Sequence, residues 1–568
     1  MTARSGAKPP RRTPGGSPSG PATRRRISAG RLALAASAVC TCLALAACGS
    51  SSSSKSSSNA SSASATSSSA TSAAATGTPR PGGSLTVLES AGYAGDWPTG
   101  LDPATNVNGA ANQDQMSAIF GVLWELNTNG KLIPDLATGD KFTAGGKTIT
   151  ITLRSGVKFS DGTPFNAQAV VFNWKRDLAS PCTCKPTNFM VKSITAPSPT
   201  TVVVNLAAPD GAFIDQLQDS NFSWIASPTA LKKMGEQAFK LKPVGAGPFA
   251  VVSDTLNNTL VLKKNPSYWQ SGRPYLDQLT FKTTASDESA LEAMQAGQGQ
   301  VYPGMSSPQL LNSYKSKFTV TTVPSTSPYD IQLNTAIPPF NNIKAREAIY
   351  YATNGGLIDQ KLFGNVNPVG QSFTAPAGLF YEQNVPGYPT YNLAKAKALV
   401  KSLGGLTINF FTIAQPATTN FMEALQSMWK QAGINASIHF YPLAGLIQQF
   451  DGKKWQIALQ TAGAWDPAGG VGVAFRFLSA SPFSGVHDPH LDSLILGGQA
   501  AINPVTRKSM YDQAAAYIAK NADGPFLFPL ANWNIATHGV QGTGLTTAIP
   551  AVAVNGPVLW EDVSTSSS

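Results

Sequence analysis

From Pro81 onward the chain switches repeatedly between two hydrophobic periods. Leu85–Leu88 follows a Gly82-Gly83 turn and reads as a strand. Ile149, Ile151 and Leu153 alternate with polar neighbours, leading to Val157, and Thr201–Leu206 and Thr259–Leu262 read as further strands. A helical spacing of three and four places Met116, Ile119, Phe120 and Leu123 on one face, predicting a helix over Gln113–Leu126. The same spacing places Val170, Val171, Trp174 and Leu178 inward on Ala167–Leu178, and Ile343–Tyr351 and Leu393–Ser402 also read as helices. Leu406–Phe411, Thr419–Ala432 and Ala436–Phe440 form a strand–helix–strand succession, which predicts parallel pairing. The pattern is that of an α/β protein with mixed sheets. At 568 residues, more than one lobe is expected.

The N-terminus has a different texture. Basic residues run up to Arg31, and Leu32–Ala47 is apolar, short for a membrane span and suited to a signal segment. Leu45-Ala46-Ala47-Cys48 looks like a bacterial lipobox, in which the cysteine thiol takes a lipid. Ser50–Thr78 is nearly all Ser, Ala and Thr and cannot bury a core, so it reads as a disordered tether with a reach of roughly 30 Å. Thr23-Arg24-Arg25-Arg26-Ile27 only partly matches a twin-arginine signal and leaves the export route open.

Charge changes little in this picture. The formal net charge is +11, but eight of the 42 basic side chains lie in residues 1–47, which hold no Asp or Glu. The remainder is close to neutral and gives no reason to expect nucleic-acid binding. Charged residues are only 13% of the chain, and 51 Gly with 41 Pro point to many turns.

The chemistry-bearing residues are few. Cys40 and Cys42 fall in the segment expected to be removed, leaving Cys182 and Cys184 as a possible disulfide, a pair of thiols or a weak metal site. Of four histidines, His487 and His490 flank Asp488-Pro489, where the proline places them on a turn rather than a metal-binding helix face. No GxSxG, HExxH, nucleotide-binding glycine pattern or paired-cysteine zinc spacing is present. Catalysis, metal and cofactor are therefore not expected.

A series of short motifs, in fixed order, then becomes informative. It runs Gly100-Leu101-Asp102-Pro103, Val122–Leu126 with Pro134–Ala137, and Leu153-Arg154-Ser155-Gly156-Val157-Lys158-Phe159-Ser160-Asp161-Gly162-Thr163-Pro164-Phe165. It continues with Pro243–Phe249, Asn265-Pro266-Ser267-Tyr268-Trp269, Leu333-Asn334-Thr335, Pro339-Phe340 and Ala345-Arg346-Glu347-Ala348. Across Pro81–Trp560 this resembles the extracellular solute-binding proteins, family 5, of peptide- and nickel-type ABC importers. Many of these residues also read as scaffold: Asp161-Gly162 suits a turn, and Gly245 and Gly247 suit a tight backbone path.

The resemblance implies a two-lobed, periplasmic-binding-protein-like clamshell with a discontinuous first lobe. The expected divisions are a signal peptide at 1–47, the lipidated cysteine and tether at 48–80, and lobe I at 81–328 with a subdomain near 125–242. Lobe II then spans 329–523, the chain returns to lobe I at 524–563, and 564–568 is a tail. The implied function is capture of a small solute, foremost a peptide, for ABC permease and ATPase subunits by a monomer anchored on the outer face of the cell membrane. A sensory or scaffolding lipoprotein, or a receptor for an oligosaccharide or metal chelate, is the alternative. Asp466 is either the family's partner for a ligand ammonium or the turn residue before Pro467. Ala464 and Trp465 beside it, Asn532 and Trp533 at the return crossing, and Asn108 and Asn112 after Pro103 complete the expected ligand site. Cys48 is the expected lipidation site.

Overall fold

In the computed structural model, the structure describes residues 79–91, 96–107, 112–181, 189–414, 416–461, 466–552 and 556–566. Two open sheets organise them. The first has seven strands in the order Thr319–Val323, Asn532–Ala536, Val301–Met305, Ser84–Ser90, Gln278–Thr284, Thr259–Lys264 and Phe249–Thr255. Ser84–Ser90 is parallel to both neighbours, and the outer pairs are antiparallel. The second sheet has four strands in the order Tyr329–Leu333, Ile457–Thr461, Leu406–Ile413 and Ile434–Tyr441. Its last two are parallel and joined by the Pro416–Gln431 helix, the strand–helix–strand unit legible in the sequence.

The periodicities explain which faces are buried. Ile149, Ile151 and Leu153 alternate inward on Thr148–Leu153, within a separate antiparallel sheet of Ala137–Thr143, Thr148–Leu153, Thr201–Leu206 and Val191–Ser198. Together with Val202, Val204, Val170 and Trp174 they form a subdomain core of their own. On the Ile343–Ala352 helix, Ala345, Ala348, Ile349 and Ala352 make the buried stripe, and the Asn342 side chain caps the start by accepting from the Lys344 N–H. The helix expected over Gln113–Leu126 stops at Phe120. Gly121 turns the chain at φ 66°, and Trp124–Leu126 pairs with Leu132–Pro134 as a hairpin.

The family-like motifs prove to be joints between these layers. Asp102 is fully buried and holds Arg176 of the Ala167–Ala179 helix through two hydrogen bonds of 2.5 and 2.6 Å. Asp161 accepts from the Thr163 N–H at 2.9 Å and from the Ser227 hydroxyl at 2.7 Å, while Gly162 adopts φ 84°. Asn265 donates to the Gly247 carbonyl at 2.8 Å and accepts from the Ser267 N–H at 2.9 Å. The Arg154 guanidinium lies 3.8 Å over the Trp269 ring and donates to the Asp135 carbonyl.

The chain passes between the two sheets twice, along neighbouring paths. Tyr329 and Leu527 exchange backbone hydrogen bonds with Phe528 and Tyr329, and the Ile331 N–H reaches the Pro525 carbonyl at 3.0 Å. Just before this, the Thr326 N–H bonds the Ala551 carbonyl at 2.9 Å. Ser564–Thr565, expected as a tail, pairs with Val540–Gln541 as a short strand.

Candidate functional site

Open α/β sheets take ligands at the carboxyl ends of their parallel strands. In the second sheet these ends are Ile413, Tyr441 and Thr461, and Asp466 lies just beyond Thr461. Asp466 is fully buried. Its Oδ1 accepts from the Ala468 N–H at 2.7 Å and its Oδ2 from the Val471 N–H at 2.6 Å. The carboxylate closes the loop and feeds the first turn of the Gly470–Phe477 helix, as a turn residue does. Burial pushes the Asp466 carboxyl up, and the amides of Val471, Gly470 and Ala468, with the Arg507 charge, pull it back.

The same loop is tied down from other sides. The Leu379 N–H donates to the Pro467 carbonyl at 2.8 Å. Arg476, on that helix, donates from Nε to the Thr461 carbonyl at 3.0 Å and from Nη2 to Gln460 Oε1 at 3.2 Å. A Cβ on Gly470 would sit 2.3 Å from the Tyr511 hydroxyl, so the helix start and Tyr511 are in direct contact. That hydroxyl is buried without a hydrogen-bond partner among the described residues.

The other expected site residues are dispersed. Trp533 is 4% exposed and packs with Leu88, Leu291, Tyr302, Met305 and Phe318 in the core of the first sheet, where it has no open stacking face. Asn532 begins the same strand, opposite Val323. Asn112 is fully buried at the start of the Gln113–Phe120 helix and donates to the Asp96 carbonyl at 3.1 Å. Ala464, Trp465, Asn108, Cys182, Cys184 and Cys48 lie outside the described residues. Asp488 accepts from the His490 and Leu491 N–H groups and from the Tyr517 hydroxyl, so the His487–His490 cluster is a helix cap. Among the described residues no group of three His, Cys, Asp or Glu is arranged to hold a metal ion, and no helix is long and apolar enough to cross a membrane.

Two cavities are formed elsewhere. One of about 130 Å³ lies in the second body beside Pro525–Leu527, walled by Tyr350, Tyr388 and Tyr391. The other, of about 30 Å³, is lined by Ser117, Glu125, Asp135, Tyr268 and Glu561. Burial raises Asp135 and Glu561 to about 8 and Glu125 to about 7.

Residues 131–481 match the model of the bacterial extracellular solute-binding proteins, family 5. This chain belongs to that family. The solute-binding protein is 31% identical over 366 residues to the glutathione-binding protein GsiB of Shigella flexneri, covering 62% of this chain and 70% of that one. Its fold is shared with the periplasmic binding protein DppA from Helicobacter pylori in complex with the peptide STSA, at TM-score 0.69 and 21% identity over 86% of this chain and 99% of that one. It is shared equally with AgaA from A. tumefaciens R10 in complex with agropinic acid, at TM-score 0.68 and 20% identity over 86% and 99%. The fold is accordingly the two-lobed one of periplasmic binding proteins, and the family and these neighbours are binding proteins. Family membership gives the role of an extracellular solute-binding protein.

What sequence reasoning missed lies where the subdomain meets the second body. Arg507 donates from Nη1 to Asp215 at 2.5 Å, from Nε to the Ala501 carbonyl at 3.0 Å, and from Nη2 to the Gly211 carbonyl. The Ala212 N–H reaches the Gln499 carbonyl at 3.2 Å. No local motif marks Arg507 or Asp215, because the pairing joins segments 292 residues apart.

Proposed function

We propose that this protein is the capture subunit of an ABC importer, exported, lipidated at Cys48 and tethered outside the membrane, and that it takes a peptide or peptide-like solute between lobes divided near Pro328 and Gly524. The observation that carries the ligand class is the 31% identity to a glutathione-binding protein over 70% of that protein's length. Glutathione is therefore the first solute to test. The paired crossings at Tyr329–Ile331 and Pro525–Phe528 support a hinge, since a few backbone bonds at one edge leave the sheets free to rock. Reversible binding by a monomer, without turnover, is the expected behaviour, and the permease is the expected partner of the closed form.

The test is isothermal calorimetry of the soluble chain against glutathione, a mixed set of di- to pentapeptides, and maltotriose as a neutral control. Binding of glutathione or a peptide in the micromolar range or tighter supports the reading. Heat from maltotriose alone overturns the ligand class. Native mass spectrometry of protein isolated gently from its host identifies the solute directly.

A further inference from the structure

The segment Asp210–Gln216 of the subdomain lies against Gln499–Arg507 of the second body. The fit is close: a Cβ on Gly211 would stand 2.4 Å from the Ala501 carbonyl oxygen. It is also acidic on one side. Asp210 accepts from the Ala212 N–H and the Gln216 amide, Asp215 faces Arg507, and Asp466 lies close enough to push Asp215 toward its neutral form. Arg507 is 5% exposed and is the partner in the ion pair that Asp215 makes. Its guanidinium also spans both bodies, holding the Ala501 carbonyl on its own side and the Gly211 carbonyl on the other.

We propose that Arg507 is an affinity-determining residue outside the solute contact: it is the cation that lets an acid-lined interface close, and so sets how long the lobes stay shut on their cargo. The proposal rests on the clamshell reading above. Closing leaves Asp210 and Asp215 half-buried, and taking two carboxylates part-way out of water costs free energy unless a cation is shared between them. A conformation stabilised only when the lobes meet retains cargo in proportion to its population.

The charge balance gives the proposal a signature. Burial raises Asp215 to about 6, with Asp466 and Asp140 acting in the same sense and Arg507 against it. Burial also raises Asp210 to about 7, with Asp215 adding to it and Arg507 and the Ala212 N–H opposing. Tyr511 adds no charge, because burial and Asp466 keep its hydroxyl protonated. Groups whose carboxyls are raised on closing bind protons more tightly in the closed form. Acid therefore favours closure, and an interface without Arg507 needs acid to close.

The experiment is small-angle scattering of the full soluble chain, as purified with its own solute and after stripping by unfolding and refolding, at pH 8 and pH 5. It is paired with the release rate of the co-purified solute. Arg507→Ala should expand the loaded protein at pH 8 and speed release at least about tenfold, and pH 5 should restore the compact form. Gly211→Ala, which changes no charge but forces apart the Gly211 and Ala501 carbonyls that Arg507 holds, should expand it at both pH values. Arg507→Lys should fall between, keeping charge but losing the fork. If wild type contracts on loading while Arg507→Ala and Gly211→Ala match it in size and release rate at pH 8, the proposal is wrong and the clamshell stands. If wild type has the same radius loaded and stripped, the clamshell itself fails, and the proposal with it.

Discussion

Asp466 spends its carboxylate on the loop that carries it. Both oxygens already hold an N–H, from Ala468 and Val471, at 2.7 and 2.6 Å. Asp466→Asn turns one acceptor into a donor that faces an N–H, at a cost of about 1–3 kcal/mol. Thermal unfolding should show this loss with no ligand present. If Asp466 acts through its loop, the same variant should weaken glutathione and N-acetylglutathione by equal factors in calorimetry. A loss confined to the free amine would instead restore the ammonium-pairing role. The Trp-Asp-Pro sequence made Asp466 conspicuous, but not the direction of its carboxylate. That direction follows from Gly469 at φ 71°, which turns successive amides back onto the side chain, and backbone direction is weakly encoded by residue type. Trp533 shows the converse: an aromatic at a crossing reads as a binding platform until its neighbours, Leu88 and Met305 among them, are seen to close over it.

At the level of elements, the ordered motifs are joints, and their glycines are the tightest of them. A Cβ on Gly245 would stand 2.3 Å from the Ile119 carbonyl oxygen, at the end of the Gln113–Phe120 helix. Gly245→Ala should cost about 2–3 kcal/mol, read as a lowered urea midpoint with an unchanged slope. The periodic elements were legible because burial follows the 2.0 and 3.6 spacings. The end of that helix was not, because Leu123 continues the helical spacing while burying itself in the subdomain core instead. The hairpin after it brings Glu125 and Asp135 against Glu561 of the C-terminal segment. Asp135 and Glu561 are both raised to about 8, burial being the main cause in each. Arg154 opposes the rise at Asp135, Arg273 opposes it at Glu561, and Glu125 and Asp562 reinforce it at Glu561. In the unfolded chain such carboxyls titrate near 4. The folded state therefore holds more protons between about pH 4 and 8, and stability falls as pH rises across that window. The melting temperature should be higher at pH 5.5 than at pH 8.5. Glu561→Gln should flatten that slope, by at least about 1 kcal/mol of the difference, and an unchanged slope would show the acid cluster to be solvated.

At the scale of the whole molecule, two independent cores, one around Leu85, Phe281 and Trp560 and one around Ile331, Phe410 and Trp429, are joined by adjacent crossings. Each body can keep its interior intact while the angle between them changes, which is the mechanical requirement for a receptor that opens and shuts. A receptor also has to stay near its permease, and here the N-terminal sequence supplies the argument. Ser50–Thr78 offers no apolar residue able to seed a core beyond scattered alanines, and Leu45–Cys48 precedes it directly. A single acyl chain holds a protein to a membrane only marginally, whereas a diacylglyceryl cysteine carries two and anchors it stably. On the proposed reading, a Ser-, Ala- and Thr-rich tether with a reach of roughly 30 Å would let the lobes rotate without leaving the surface. Cys48→Ala should abolish labelling by a fatty-acid analogue and shift the protein from the membrane fraction to the medium, or leave it as an uncleaved precursor. In either case solute binding should be unchanged, since the residues that match the solute-binding family, 131–481, lie well beyond Cys48. A Cys48→Ala protein that is processed and stays with the membrane as wild type does would show that something other than this cysteine holds it there.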